Sequence, residues 1–200
     1  MQPFWRWRNL RSMVDHWEQS PLLFVHINKT GGTSVSAALG APLSMHPTAT
    51  EMKAYVGHEA WEDKLSFAIV RNPFDRIVSQ WCYRVKTNQN QLGEGKADFA
   101  TWVHSVFEQN DAKYRDKPRF FMPQIDWIQD NGSVIVDEVA RFECMEHDLQ
   151  LIAGQVGMLL ELPHLNSTDR RSYREYFDSA TRRTIEQAFR TDLEYFGYEY

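Results

Sequence analysis

Pro21-Leu-Leu-Phe-Val-His-Ile27 is a short apolar run of strand-forming residues, and the turn-like segment Asn28-Lys-Thr-Gly-Gly-Thr33 follows it directly. The next residues, Ser34-Val-Ser-Ala-Ala-Leu39, have a helical pattern that ends at Gly40. The order is therefore a buried strand, a glycine-containing loop and a helix. A strand that passes through a loop into a helix is the repeating unit of parallel α/β sheets.

The same order occurs again further along the chain. Leu65-Ser-Phe-Ala-Ile-Val70 is a second buried strand, Arg71-Asn-Pro-Phe-Asp75 interrupts it, and residues 74–86 continue as a predicted helix. Short strands are also predicted at residues 134–136 and 139–142. Two strand–loop–helix units predict an α/β fold with a central, mainly parallel sheet flanked by helices.

Two further helices have recognisable N-terminal caps. Thr48 followed three residues later by Glu51 is a capping-box pattern, which predicts a helix over residues 49–56. Asp98 precedes apolar residues at helical spacing, and it is predicted to cap a helix over residues 98–109. The second helix would have its apolar residues Phe99, Trp102, Val103 and Val106 on one face.

The chain has 200 residues, and its 22 Lys and Arg against 27 Asp and Glu give a net charge of −5. This length fits one domain with a small appendage, and we divide the chain into an N-terminal extension, residues 1–20, and a main domain, residues 21–200. The acidic balance argues against a nucleic-acid-binding protein, since such domains are usually basic. It does not exclude an anion site, which needs only a few local donors.

The sequence also bears on location and cysteine chemistry. It has no run of about 18 apolar residues that would predict a membrane span, and the first 20 residues lack the continuous apolar stretch of a secretory signal. We therefore expect a cytoplasmic protein without a membrane span. Cys82 and Cys144 have no metal-like spacing and are expected to be free thiols, with a single disulfide as the alternative.

The segment Lys29-Thr-Gly-Gly-Thr-Ser34 has the composition of an anion-binding loop. Glycines let backbone N–H groups turn towards a ligand, a helix N-terminus adds partial positive charge, and Lys29 adds a full charge. The hydroxyls of Thr30, Thr33 and Ser34 are further donors. The segment is not a Walker A loop, in which the lysine follows the second glycine. The alternative interpretation is a turn with a solvated lysine.

A second anion-binding group is predicted where the second strand ends. Arg71 stands at the carboxyl end of that strand, where open α/β sheets bind ligands, and its planar guanidinium suits a terminal phosphate. Ser79 lies on the following helix and is expected to face the same anion. The alternative for either arginine is a salt bridge with Asp75 or another acid, which we expect for Arg76 and not for Arg71.

Both segments resemble those of the sulfotransferases that use 3′-phosphoadenosine-5′-phosphosulfate (PAPS). Residues 24–34 resemble the loop that binds the 5′-phosphosulfate, and residues 67–79 resemble the segment that binds the 3′-phosphate. The carbohydrate-type branch, which includes heparan sulfate 2-O- and chondroitin sulfotransferases and bacterial relatives, is similar also in Arg141-Phe-Glu143, Leu162-Pro-His-Leu-Asn-Ser167 and the tyrosine-rich end. The resemblance spans roughly residues 21–200 and implies a P-loop-like three-layer fold.

The resemblance implies in-line transfer of a sulfuryl group from PAPS to an acceptor hydroxyl of a carbohydrate or small molecule, with 3′,5′-adenosine bisphosphate as the second product and no metal ion. Lys29 would stabilise the leaving oxygen. Arg71 and Ser79 would hold the 3′-phosphate. The 5′-phosphate would be held by the N–H groups of the loop residues Thr30, Gly31, Gly32, Thr33 and Ser34.

An acceptor hydroxyl also needs a general base. His46 resembles the catalytic histidine of the 2-O-sulfotransferases in its distance before Arg71, and Glu51 and His58 are the alternatives. His26 lies within the first strand and is expected to be a core residue. A small nucleotide kinase, which would need Mg²⁺ carboxylates and a Walker-type lysine, and a non-catalytic nucleotide-binding module are the alternative functions.

Overall fold

A computed structural model describes residues 4–42, 46–163 and 171–200, with the backbone alone over residues 4–10. The chain divides into two compact units, Met1–Val70 with Asp126–Thr168 and Arg71–Ile125 with Asp169–Tyr200. Each unit has a hydrophobic core of its own. Residues 164–167, which belong to one of the segments that resemble carbohydrate sulfotransferases, lie outside the described residues.

The described residues form these helices and strands in chain order: α1 (Phe4–Gln19), β1 (Leu22–Val25), α2 (Gly32–Ala38), α3 (Ala49–Val56), α4 (His58–Glu62), β2 (Leu65–Val70), α5 (Pro73–Lys86), α6 (Phe99–Phe107), α7 (Ile125–Ile128), β3 (Gln129–Asp130), β4 (Ser133–Val134), β5 (Glu138–Arg141), α8 (Met145–Gln155), α9 (Ser179–Ala188) and α10 (Arg190–Phe196). Short 3-10 helices lie at Gln89–Glu94, Pro118–Phe121, Phe142–Cys144 and Tyr173–Tyr176.

The first unit is built on a three-stranded parallel sheet in the order β1–β2–β5. Phe67 of β2 pairs with Phe24 on one side and with Glu138 on the other. All of β1 and all but the first residue of β2 are buried, as expected for parallel strands that are covered on both faces. The prediction of an α/β fold with a central parallel sheet flanked by helices is therefore confirmed.

One face of this sheet carries the core that positions α2. Phe24, Phe67 and Ile69 point to the same face because side chains alternate along a strand. They form one buried cluster with Val35 of α2 and Ile152 of α8. This cluster anchors α2 on the sheet and with it the loop that joins β1 to α2.

The strand predicted over residues 134–136 forms differently. Val134 belongs to β4, which pairs with β3 in a two-stranded antiparallel hairpin, and neither strand joins the central sheet. The turn between them is Asn131-Gly132, and both residues have positive φ angles, 48° and 80°. A two-residue turn of this kind closes a tight hairpin, so the third strand of the central sheet begins only at Glu138.

The second unit consists of helices around an aromatic core. Trp102 of α6 is fully buried, and its ring lies 5.4 Å from that of Trp81 on α5 and 5.9 Å from that of Phe121. Ile185 of α9 belongs to the same cluster. This packing holds α5, and Arg71, the second predicted anion-binding group, lies just before the N-cap residue of that helix.

The N-terminal helix α1 is anchored by Met13 and Trp17, which are both buried. The division of the chain after residue 20 stays a prediction. Within the described ranges, no helix is both long enough and apolar enough to cross a membrane. Cys82 is half-buried and Cys144 is exposed, and both are free thiols, as expected.

Candidate active site

The loop between β1 and α2 carries the first group of predicted site residues. Its backbone turns through left-handed conformations at Lys29 (φ 68°) and at Gly31 (φ 83°). Gly31 is the N-cap residue of α2, and no described side chain caps the helix there. The start of α2 therefore has the open form that anion-binding loops share, in which backbone N–H groups are not covered by a capping side chain.

Both glycines of the loop pack closely against neighbouring side chains. A Cβ atom at Gly31 would lie 2.8 Å from Sδ of Met145 and 3.1 Å from Cε2 of Phe142. A Cβ atom at Gly32 would lie 2.0 Å from both Cδ2 and Nε2 of His26. Real Cβ atoms do not approach other atoms so closely, so a side chain at either position would displace its neighbours.

The hydroxyl groups of the loop have different surroundings. Thr30 is fully buried, and its Oγ1 donates to the backbone oxygen of Ile27 at 2.9 Å. This hydrogen bond joins two residues of the loop region, so the Thr30 hydroxyl proton is not available to a ligand. The N–H group of Ser34 donates to the backbone oxygen of Gly31 at 3.0 Å. Thr33 is exposed.

His26 is the side chain on which the loop packs. Its ring stacks on Phe24 at 5.3 Å between centroids and lies against Gly32. Burial lowers the pKa of His26 well below its ordinary value, and His46 and Lys29 lower it further. The ring is therefore neutral at pH 7, and its buried Nδ1 has no hydrogen-bond partner among the described residues. The prediction that His26 is a core residue is confirmed.

His46 is held beside His26. Its Nδ1 lies 3.0 Å from the backbone oxygen of His26, and the two rings are 4.3 Å apart. A carbonyl oxygen only accepts hydrogen bonds, so Nδ1 of His46 carries the proton in this contact. In the neutral ring Nε2 then carries the lone pair, which is the form that a general base needs.

The two alternative bases have other roles in the structure. Glu51 completes the predicted capping box of α3: its Oε2 accepts from the N–H of Thr48 at 2.9 Å, and its own N–H donates to Oγ1 of Thr48. His58 lies at the start of α4, where its side chain is 78% exposed, and its Nδ1 lies 3.3 Å from Oε1 of Glu62. His46, by comparison, contacts His26, the residue on which the loop packs.

Arg71 and Ser79 belong to the second unit. The guanidinium of Arg71 is 9% exposed, and its Nε and Nη2 donate to Oδ2 of Asp75 at 2.8 and 2.5 Å. The expectation that Arg71 would not pair with Asp75 is therefore wrong. The physical reason is the position of Arg71 just before Asn72, the N-cap residue of α5, which brings its guanidinium to the carboxylate of Asp75 in the first turn of the helix.

Arg76 is almost fully buried, and its expected pairing with Asp75 or another acid stays a prediction. Its Nη1 and Nη2 donate to the backbone oxygens of Met122 and Phe120 at 3.2 and 3.3 Å. Burial lowers the pKa of Arg76 to about 10, and the carboxylate of Asp192 partly offsets that effect. Arg76 is therefore a structural cation of the helical unit.

Ser79 lies on α5, four residues after Asp75. Residues at this spacing share one face of a helix, so Ser79 is on the face of α5 that also carries the partner of Arg71. The structure thus groups the predicted residues in two sets, Lys29–Ser34 with His46 in the first unit and Arg71 with Ser79 in the second.

Two residues that the sequence analysis did not single out surround Arg71. The side chain of Gln124 bonds to the N–H and the C=O of Arg71, and Asp192 bonds to Gln124. Neither residue belongs to a recognisable motif, and 53 residues separate Gln124 from Arg71. Among the described residues, no group of three or more His, Cys, Asp or Glu side chains is placed to hold a metal ion.

Comparisons with known proteins add to this picture. An uncharacterized protein of Archaeoglobus fulgidus is 25% identical over 122 residues, which are 60% of this chain and 91% of the relative. No solved structure matches the chain significantly. Residues 14–199 match the sulfotransferase family, which agrees at the level of the family with the resemblance of the two loops. The chain therefore belongs to the sulfotransferase family, and the reaction of that family is the transfer of a sulfuryl group.

Proposed function

We propose that this protein transfers a sulfuryl group from PAPS to an acceptor hydroxyl by in-line displacement. The observation that carries the proposal is the contact of His46 with the backbone oxygen of His26, which holds an imidazole base in the region of the Lys29 loop. Family membership supports the sulfuryl chemistry. The kinase and the non-catalytic module are not favoured, since the matched family is that of the sulfotransferases.

In the proposed reaction, the residues of this chain position the reactants and manage charge. Nε2 of His46 accepts the proton of the acceptor hydroxyl as its oxygen forms a bond to sulfur. The bond between sulfur and the bridging oxygen of the donor breaks in the same step, and the ammonium of Lys29 stabilises the negative charge that develops on that oxygen. The step leaves 3′,5′-adenosine bisphosphate and a sulfate ester.

The loop residues are proposed to hold the 5′-phosphate of the donor. We assign this role to the backbone N–H groups of residues 30–33, with the hydroxyls of Thr33 and Ser34 as further donors, since the N–H of Ser34 is bonded to Gly31. Thr30 is proposed to act through its N–H, since its hydroxyl proton is bonded to Ile27. The left-handed turn at Lys29 and Gly31 and the glycine packing against His26 support this assignment.

Arg71 and Ser79 are proposed to hold the 3′-phosphate. The guanidinium offers a planar set of donors that matches phosphate oxygens, and its ion pair with Asp75 places it at the start of α5. The role of each residue rests on its match to the PAPS-dependent sequence pattern. Discrimination against nucleotides without a 3′-phosphate would follow from this contact.

The acceptor is proposed to be a carbohydrate or a small molecule with a hydroxyl group. The carbohydrate-type branch is favoured by the resemblance of Arg141-Phe-Glu143, and the ring of Phe142 in this segment lies against Gly31 of the loop.

A transfer assay tests the proposal. The purified chain is incubated with PAPS and one of three acceptors, a desulfated glycosaminoglycan oligosaccharide, a monosaccharide or a phenol, and release of 3′,5′-adenosine bisphosphate is followed. Lys29→Ala is expected to lose transfer, whereas Lys86→Ala, a change at an exposed lysine of α5, should keep it. Normal transfer by Lys29→Ala would refute the role of Lys29 at the leaving oxygen.

A further inference from the structure

The side chain of Gln124 forms hydrogen bonds with both backbone polar groups of Arg71. Oε1 of Gln124 accepts from the N–H of Arg71 at 2.9 Å, and Nε2 donates to the C=O of Arg71 at 2.8 Å. Arg71 directly follows Val70, the last residue of β2, and is no longer part of the sheet. The amide of Gln124 thus supplies Arg71 with the pair of hydrogen bonds that a neighbouring strand supplies inside a sheet.

Asp192 of α10 fixes Gln124 in turn. Its Oδ2 accepts from the backbone N–H of Gln124 at 2.8 Å and from Nε2 at 3.2 Å, while its Oδ1 accepts from the N–H of Ile125 at 3.0 Å. A carboxylate only accepts, so the NH₂ group of Gln124 must face Asp192. That orientation leaves Oε1 to accept from the N–H of Arg71, so the positions of the oxygen and nitrogen in the Gln124 side-chain amide are determined.

The three residues form a buried polar chain. Gln124 and Asp192 are both fully buried, and Arg71 is nearly so. Burying an amide and a carboxylate is unfavourable unless each polar group is bonded, and an apolar side chain would fill the same space at lower cost. What the polar chain provides is a fixed backbone at Arg71, while Asp75 fixes the guanidinium through Nε and Nη2.

We propose that Gln124 is a positioning residue for donor selection. It holds the backbone of Arg71 so that the guanidinium is already in place for the 3′-phosphate, and Asp192 keeps Gln124 in the orientation that this requires. The inference rests on the proposed function, because it takes Arg71 as the 3′-phosphate contact. Small misplacements of a binding group weaken its interaction strongly. The hydrogen bonds of Gln124 to Arg71 would therefore set the preference for a 3′-phosphate.

The test measures that preference in the full chain. Calorimetric titration gives the Kd of 3′,5′-adenosine bisphosphate and the Kd of AMP. The ratio of the AMP Kd to the bisphosphate Kd reports the contribution of the 3′-phosphate. Gln124→Met keeps the volume of the side chain and removes its two hydrogen bonds to the backbone of Arg71. It is expected to lower the ratio by about tenfold or more, as for the weakening of one hydrogen bond between the guanidinium and the 3′-phosphate. Val103→Ala, a core change in the same unit, controls for lost stability and should leave the ratio within about twofold.

A milder variant keeps the proposal falsifiable if Gln124→Met does not fold. Asp192→Asn retains the size of the side chain and weakens its bonds to Gln124 and to the N–H of Ile125, and it should lower the ratio in the same direction by a smaller factor. An unchanged ratio in the variants, beside a clear 3′-phosphate preference in the unaltered chain, would overturn the role of Gln124 alone. No such preference in the unaltered chain would instead overturn the assignment of Arg71, and the inference with it.

Discussion

Nδ1 of His46 and the backbone oxygen of His26 are joined by a 3.0 Å contact, although 20 residues separate them. His26 directly follows β1, and its ring also supports Gly32 at the start of α2. The end of β1 therefore fixes both the glycine loop and the imidazole. In the proposed reaction, Lys29, which stabilises the leaving oxygen, and His46, which acts as the base, are therefore both positioned by the end of β1.

Loss of the imidazole should separate binding from chemistry. In His46→Ala we expect turnover to fall by about 10²- to 10⁴-fold, since a general base contributes that much. Affinity for 3′,5′-adenosine bisphosphate should change by less than about twofold, because the loop is untouched. His58→Ala is the control, as that histidine is largely exposed. Weakened nucleotide binding with normal turnover would place the base elsewhere.

A methyl group at Gly32 should disturb the same support. The added Cβ would lie 2.0 Å from the ring of His26, so Gly32→Ala is expected to destabilise the fold by about 1–3 kcal/mol and to reduce turnover. Gly154 of α8 faces open space, and Gly154→Ala should stabilise by about 0.5–1 kcal/mol. Urea unfolding measures both changes. Equal effects at the two glycines would contradict the packing described for the loop.

The ion pair of Arg71 with Asp75 should matter more than a surface pair of the same spacing. Asp75→Asn leaves a nearly buried guanidinium without its carboxylate, and we expect a loss of about 1–3 kcal/mol in the free energy of unfolding. Glu186→Gln removes the partner of Arg182, whose side chain is 46% exposed, and should cost less than about 0.5 kcal/mol. Urea unfolding of the two variants would show similar losses if Arg71 were solvated.

The buried imidazole of His26 should make stability depend on pH. Its pKa is lowered in the folded state, so below the ordinary value of 6.5 the unfolded chain binds more protons than the folded one. The contribution of neutral His26 to the free energy of unfolding is therefore fully present above pH 6.5. It declines as the pH falls towards the folded pKa, by at most about 1.4 kcal/mol per pH unit.

The measurement for this pH dependence is urea unfolding above and below pH 6.5 for the unaltered chain and for His26→Gln. Glutamine does not titrate, so the variant should lose less stability on acidification. A pH dependence of the same size in both proteins would show that His26 does not bear the proton linkage. The comparison cancels the contribution of Asp192, whose pKa is raised by burial.

Local patterns account for the parts that the sequence could predict. The two strand–loop–helix units follow from apolar runs that end in loops, and the caps at Thr48 and Asp98 follow from short-range hydrogen bonding, which the structure contains. His26 could be recognised as buried because it continues the apolar run of β1. Each of these features depends on neighbours only a few residues away.

Features that depend on distant partners could not be predicted. Gln124 lies in an irregular segment before α7, and its partners Arg71 and Asp192 are 53 and 68 residues away. No periodicity marks such contacts. The pairing of Arg71 with Asp75 is different, since the two residues are only four positions apart near the start of α5, and the sequence offered it as the alternative for Arg71.

Thermal unfolding with nucleotides examines the proposed donor most directly. The full chain is heated with 3′,5′-adenosine bisphosphate, with AMP and with ATP–Mg²⁺, each in excess. We expect stabilisation by the bisphosphate alone, about 2.7 kcal/mol at a hundredfold excess over Kd, because the 3′-phosphate contacts belong to PAPS and its product. Greater stabilisation by ATP–Mg²⁺, or none by the bisphosphate, would contradict the use of PAPS by this protein.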